Sequence, residues 1–294
     1  MKKIMITGAS GLLGRALMST FTPNFTVLGT AFSRTSPPLH KLDLTDFTAL
    51  EAFITEHQPD YLIHAAAERK PEVCQAQPEF TQQLNVSLPQ KLAQLCHQYR
   101  IELFFISTDY VFDGLNPPYA ENADTHPLND YGLSKQQAEQ AVLSYPAHNV
   151  IRVPVLYGQV EFIEESALTI TWAQLQQNKQ PAMDNWAIRY PTHVSDIAAT
   201  LHDMLTKLTP SERGGVFHIS DTTAHTKYAL ACALADAFGD DKTRIIAQDS
   251  AVGQAARPKN CQLQDTRLTQ KGILYQRDAT QGLIDAVRPF VAHS

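Results

Sequence analysis

Short apolar runs and longer amphipathic stretches alternate through the first half of the chain. The segments "KKIMIT", "FTVLGTAF", "DYLIHAAA", "IELFFIS" and "HNVIRVPVLYG" read as strands. Several are apolar without a break, as strands covered on both faces of a parallel sheet are. Helical spacing fills the gaps. In "LTDFTALEAFITEHQ" Leu50, Phe53 and Ile54 fall on one side, and Thr45 or Asp46 is placed to cap the start. "PEFTQQLNVSLPQKLAQLCHQYR" is longer, and Pro89, which brings no N–H to the helical ladder, predicts a kink or a break near Leu88. Strand and helix at this pitch predict an α/β protein with a doubly wound parallel sheet.

The rhythm loosens after about residue 155. "GQVEFIEES" is polar and strandless, "ALTITWAQLQQNK", "VSDIAATLHDMLTKL" and "TKYALACALADAFG" read as helices, "GGVFHIS" as a short strand, and a last helix lies near "ATQGLIDAVRPF". The simplest division is a nucleotide-binding domain over residues 1–155 and a smaller substrate domain over 156–294 that closes on it, with 191–222 returning to the first.

Composition narrows the function classes. A formal charge of -6 offers no basic field for nucleic acid or an anionic membrane surface, so any bound anion must be held locally. Cys74, Cys96, Cys232 and Cys261 are scattered without CxxC spacing, which points away from zinc and from a secreted disulfide framework. The apolar run in "MKKIMITGAS" is too short for a signal peptide or a membrane span, and the expected location is cytoplasmic.

"ITGASGLLGRAL" carries Gly8, Gly11 and Gly14 directly after the first strand and at the start of a helix. That placement lets backbone N–H groups and the positive helix end approach a pyrophosphate, and it marks the sheet as Rossmann-type, with Ser10 and Leu12 in the same loop. An NAD enzyme puts a carboxylate about 20 residues further on to hold the ribose 2′-hydroxyl. None occurs from Gly29 to Pro38, whereas Ser33 and Arg34 could hold a 2′-phosphate, Arg34 as a bidentate fork. NADPH is the expected cofactor. Asp43 and Leu44 are placed to flank the adenine, and Ala65, Ala66 and Ala67 are small enough to lie against the phosphates and ribose.

"DYGLSK" sets Tyr131 four residues before Lys135, on one helix face, with Asn129 or Asp130 as the cap. An ammonium roughly 5 Å from the phenol, at an effective dielectric near 20, would favour the phenolate by about 3 kcal/mol, or about two pK units. The strand "IELFFIS" runs into Thr108, whose hydroxyl could face the same cleft, while Ser107 should point to the opposite face. Hydride delivery to a ketone, a proton from Tyr131 and a hydrogen bond from Thr108 make a coherent reduction, with Lys135 also holding the nicotinamide ribose.

These residues resemble a known family. "TGASGLLG", "ISTDYVFDG" and "YGLSK" are similar to an extended short-chain dehydrogenase/reductase, and "STDYVFDG", "PLNDYGLSKQQAE" and "RPKNCQL" to its dTDP-4-dehydrorhamnose reductase group. "AAERKPE", "EESALT" and "RYPTHVSDIA" resemble most the reductase-like regulatory beta subunits of methionine adenosyltransferase. The resemblance implies catalytic Thr108, Tyr131 and Lys135 and a nucleotide-linked 4-keto-6-deoxy sugar as substrate, possession of which would place the chain in dTDP-rhamnose biosynthesis. It implies as alternative a regulatory subunit with methionine adenosyltransferase as partner, and a homodimer is compatible with either. Asp109, Val155, His193 and Arg257 become substrate-side candidates, with Arg69 and Lys70 as further cations for a diphosphate. Tyr110 stands where dehydratases of the superfamily have an acid, which favours plain reduction. Val155 stands where the reductases have tryptophan, and Arg15 where some members have a metal-binding glutamate, so no metal is expected.

Overall fold

A computed structural model describes residues 1–251, 253 and 255–291. Strands β1 (Lys3–Thr7), β2 (Thr26–Ala31), β3 (His40–Lys41), β4 (Tyr61–His64), β5 (Glu102–Thr108) and β6 (Asn149–Val153) alternate with helices α1 (Leu12–Phe21), α2 (Phe47–His57), α3 (Pro71–Ala76), α4 (Pro78–Thr81), α5 (Leu88–Gln98) and α6 (Asp130–Leu143). The second half adds β7 (Leu156–Tyr157), α7 (Ile170–Gln177), β8 (Ala182–Asp184), β9 (Thr192–His193), α8 (Val194–Lys207), β10 (Gly215–His218), α9 (Lys227–Phe238), β11 (Ile246–Gln248) and α10 (Ala279–Val287).

The protein is an α/β fold around a seven-stranded sheet in the order β10-β6-β5-β4-β1-β2-β3, with every pairing parallel. The chain steps outward from β1 in one direction to β3 and then in the other through β4, so the connections diverge at the carboxyl ends of β1 and β4. Doubly wound sheets bind ligands in that crevice.

One face is covered by α1 and α8, where Leu13, Leu17, Ile197 and Leu201 meet Ile4, Ile6 and Phe104. The other is covered by α2, α5 and α6, with Leu50, Leu92 and Val142 against Met5, Leu62 and Phe105. A third core of Tyr157, Trp172, Leu234 and Leu283 joins α7, α9 and α10. Thus α8 and β10, late in the chain, complete the first layer system.

Local chemistry sets the boundaries. Asp46 caps α2, accepting from the Thr48 and Ala49 N–H groups. The expected strand over residues 148–158 divides at Pro154, which has no N–H for a ladder; β7 beyond it pairs with β9 instead. The expected break near Leu88 takes the form of a π-helical segment, Gln82–Ser87, with the Leu88 N–H bonded to Gln83 O, so α4 and α5 run on through a widened turn rather than separating. Among the described residues no helix is long and apolar enough to cross a membrane.

Candidate active site

β1 ends in the glycine loop. Gly8 has φ +67°, and a Cβ there would lie 2.9 Å from the Ala66 nitrogen; a Cβ on Gly14 would lie 2.1 Å from Gly8 O. Loop, helix start and the Ala65–Ala67 segment are therefore packed backbone to backbone. Gly11 precedes α1 without a side-chain cap, which leaves the first-turn N–H groups for an external anion. The π segment supports this wall: buried Asn85 donates to Glu68 O at 2.8 Å and accepts from the Glu68 N–H at 2.9 Å.

Ser10 and Arg34 line one cavity of about 740 Å³, together with Arg15, Met18 and Glu161. Ser33 is exposed and is not among the lining residues. Asp43 is engaged by its own turn, accepting from Thr45 Oγ1 at 2.6 Å and the Thr45 N–H at 2.9 Å, which hold its carboxyl below the ordinary range. Leu44 packs against the α2 and α5 core. Leu12 and His193 line a different cavity, of about 620 Å³, between α1, α8 and α10. His193 there caps α8, its Nδ1 accepting from the Ser195 N–H at 3.1 Å, and burial lowers its pKa to about 4.

Tyr131 enters from the first turn of α6, which Asn129 caps by accepting from the Gly132 N–H at 2.9 Å. Thr108, the last residue of β5, stands beside the phenol and draws its pKa down. Its hydroxyl also lies 3.2 Å from Asp109 Oδ1. Ser107 faces the opposite way, its Oγ 2.5 Å from Glu139. Tyr110 meets the Tyr131 ring edge-on at 6.0 Å and accepts from Arg189 Nη2 at 3.4 Å. Burial raises the Asp109 carboxyl to about 6, opposed by Arg189.

Lys135 corrects one expectation. Its ammonium is 2% exposed, donates to Ile106 O at 2.7 Å and sits 3.9 Å from the Phe105 ring centre. Burial lowers its pKa to about 7, against an opposing pull from Glu139. The phenol of Tyr131 is not lowered but pushed well above the ordinary tyrosine range, because desolvation outweighs the lowering pull of Thr108. The helical spacing places both side chains on one face, but it does not determine which groups the lysine touches or how dry the phenol is.

The three arginines anticipated for ligand contacts all have protein partners. Arg34 Nη1 is 2.8 Å from Glu161, Arg257 is paired with Glu72, and Arg69 donates to Glu165 O. Lys70 is exposed, and its bond to Glu68 is made by the backbone N–H, not by the ammonium. Val155 is half-buried against the third core. Sequence reading overlooked Glu161, Glu165 and Arg189, and it gave Arg15 no partner. Arg15 grips Glu165 with both terminal nitrogens, at 2.8 and 2.7 Å, and the two glutamates sit in the segment "EFIEE", which no period marks. Partners 150 positions apart leave no local signal.

Residues 1–291 match the family model described as RmlD substrate binding domain. The methionine adenosyltransferase 2 subunit beta of Mus musculus is 41% identical over 99% of this chain and 88% of its own length. A dTDP-4-keto-6-deoxy-D-glucose reductase of Streptomyces niveus is 31% identical over 96% and 95%. Among solved structures, the dTDP-4-dehydrorhamnose reductase of Bacillus anthracis in complex with NADP superimposes with a TM-score of 0.84 at 24% identity, covering 98% of this chain and 99% of that one.

Proposed function

Because the chain belongs to the RmlD substrate binding domain family, we propose that it is an NADPH-dependent reductase of a nucleotide-activated 4-keto-6-deoxy sugar. The observation that carries the reading is the junction of β5 and α6, where Thr108 stands beside the Tyr131 phenol at the switch-point crevice. The glycine cradle and the cavity holding Ser10 and Arg34 fit a dinucleotide phosphate. Bound NADPH would supply the hydride to the ketone carbon. Tyr131 gives its proton to the oxygen that becomes the alcohol, Thr108 hydrogen-bonds the same oxygen, and Lys135 braces the end of β5 through its bond to Ile106 O. A phenol pushed above its ordinary range keeps its proton at neutral pH, as a donor must. Asp109, 3.2 Å from the Thr108 hydroxyl, would stand next to that oxygen, and Gly8, Gly11, Gly14 and the Ala65–Ala67 segment would hold the pyrophosphate and ribose.

Purified protein mixed with NADPH and dTDP-4-dehydrorhamnose should consume the nicotinamide absorbance in proportion to substrate. The cofactor choice is tested separately: Arg34→Ala should weaken NADPH binding about tenfold or more and leave NADH within a fewfold, measured as Kd by titration calorimetry. Equal affinity for the two nucleotides, untouched by Arg34→Ala, would sink the NADPH assignment.

The higher identity to the adenosyltransferase beta subunit favours a second reading, a cofactor-binding regulatory subunit of a methionine adenosyltransferase. Silence in the reductase assay with a stable complex in a pull-down against methionine adenosyltransferase would select it.

A further inference from the structure

The second strand lacks the carboxylate with which NAD-binding sheets hold the ribose, yet the fold delivers one to that place from elsewhere. Glu161, 127 positions beyond Arg34, sets its Oε2 2.8 Å from Arg34 Nη1 and 3.5 Å from Arg15 Nη1, and it lines the same cavity as Ser10 and Arg34. The two glutamates of this segment are held differently. Glu165 is 4% exposed and is fixed by both terminal nitrogens of Arg15, and it also accepts from the Glu161 N–H at 3.0 Å. Glu161 is 52% exposed and reaches the arginines by one carboxylate edge. Glu165 is thus the anchor of the segment, and Glu161 is the carboxylate free to turn away.

We propose that Glu161 sets the dinucleotide preference, accepting the ribose 2′-hydroxyl of NADH when paired with Arg34 and contending with the 2′-phosphate of NADPH for that guanidinium. This rests on reading the cleft as a dinucleotide site. A carboxylate acceptor suits a 2′-hydroxyl donor and repels a 2′-phosphate, while the guanidinium edge that holds Glu161 is the edge a phosphate would take. The wild-type chain therefore binds both nucleotides, and its selectivity for NADPH is smaller than Arg34 alone would produce.

The test measures Kd for NADPH and NADH with the full chain as wild type, Glu161→Gln, Glu161→Ala and Arg34→Ala, with a thermal melt on each to establish folding. Glu161→Gln is expected to tighten NADPH, weaken NADH and shift the ratio of the two constants toward NADPH by about tenfold. Glu161→Ala should move it the same way, which covers a glutamine variant that does not fold. An unchanged ratio, or equal weakening of both nucleotides, overturns the proposal and leaves Glu161 as a tether for its own segment. A wild type that binds neither nucleotide defeats the dinucleotide reading itself. NADPH binding that Arg34→Ala weakens, with a ratio indifferent to Glu161, defeats this inference alone.

Discussion

Replacing Tyr131 by phenylalanine is expected to lower turnover by about 10²- to 10⁴-fold while the Kd for NADPH moves by less than a fewfold. The phenol is the group placed to lose a proton; its ring, set edge-on to Tyr110, would remain after the substitution. The β5 and α6 scaffold should be unaffected, since the Asn129 cap and the Lys135 bond to Ile106 O do not use the phenol. Steady-state kinetics with saturating NADPH, alongside a nucleotide titration, separate the two effects. Full activity in the phenylalanine variant would remove Tyr131 from the chemistry. Loss of nucleotide binding in step with turnover would make it a binding residue instead.

The largest expected effect on stability comes from Glu139, one turn beyond Lys135 on α6. Its carboxylate is 3% exposed and accepts from Arg152 Nη2 at 2.7 Å, from Arg152 Nε at 3.1 Å and from Ser107 Oγ. Arg152, on β6, is 4% exposed, and Nη1 donates to Glu121 O at 3.3 Å. Glu139→Ala leaves that guanidinium buried and unpaired, which typically costs about 3 to 5 kcal/mol. Chemical denaturation should show the loss. The double variant Glu139→Leu with Arg152→Met should recover much of it, because the buried guanidinium is gone with its partner, and Lys135 can meet the loss of Glu139 by releasing its proton. A single variant as stable as wild type would mean that water reaches Arg152. The pair also joins α6 to β6 and β5, the elements that deliver Tyr131 and Thr108, so the same change should reduce turnover.

Much of the fold was readable from local pattern. Continuous apolar runs marked the buried parallel strands, and the N-caps at Asp46 and Asn129 were among the alternatives the sequence offered. Short elements such as β3, β8 and β11 carry too few residues to show a period, and two longer segments were misjudged at prolines. Pro154 ended β6 early because the residues after it pair with β9, and Pro89 was absorbed by a π turn whose side chain Asn85 reaches the loop after β4. Neither outcome is encoded within a window of a dozen residues, since each depends on what the neighbouring element supplies.

The site divides along the same line. Glycine spacing after an apolar run, and a tyrosine four positions ahead of a lysine, are short-range features, and the chain itself determines that these residues sit on a loop and on one helix face. The tertiary structure alone decided which charges meet: that Arg34 faces Glu161, that Arg15 and Arg69 converge on Glu165, and that Lys135 turns to a β5 carbonyl. The physical reason is one of range. Propensity and hydrophobic period act over a few residues, whereas burial and Coulomb interaction act through space, so the ionisation of a side chain is set by neighbours that only the packed sheet and its crossing segments bring near.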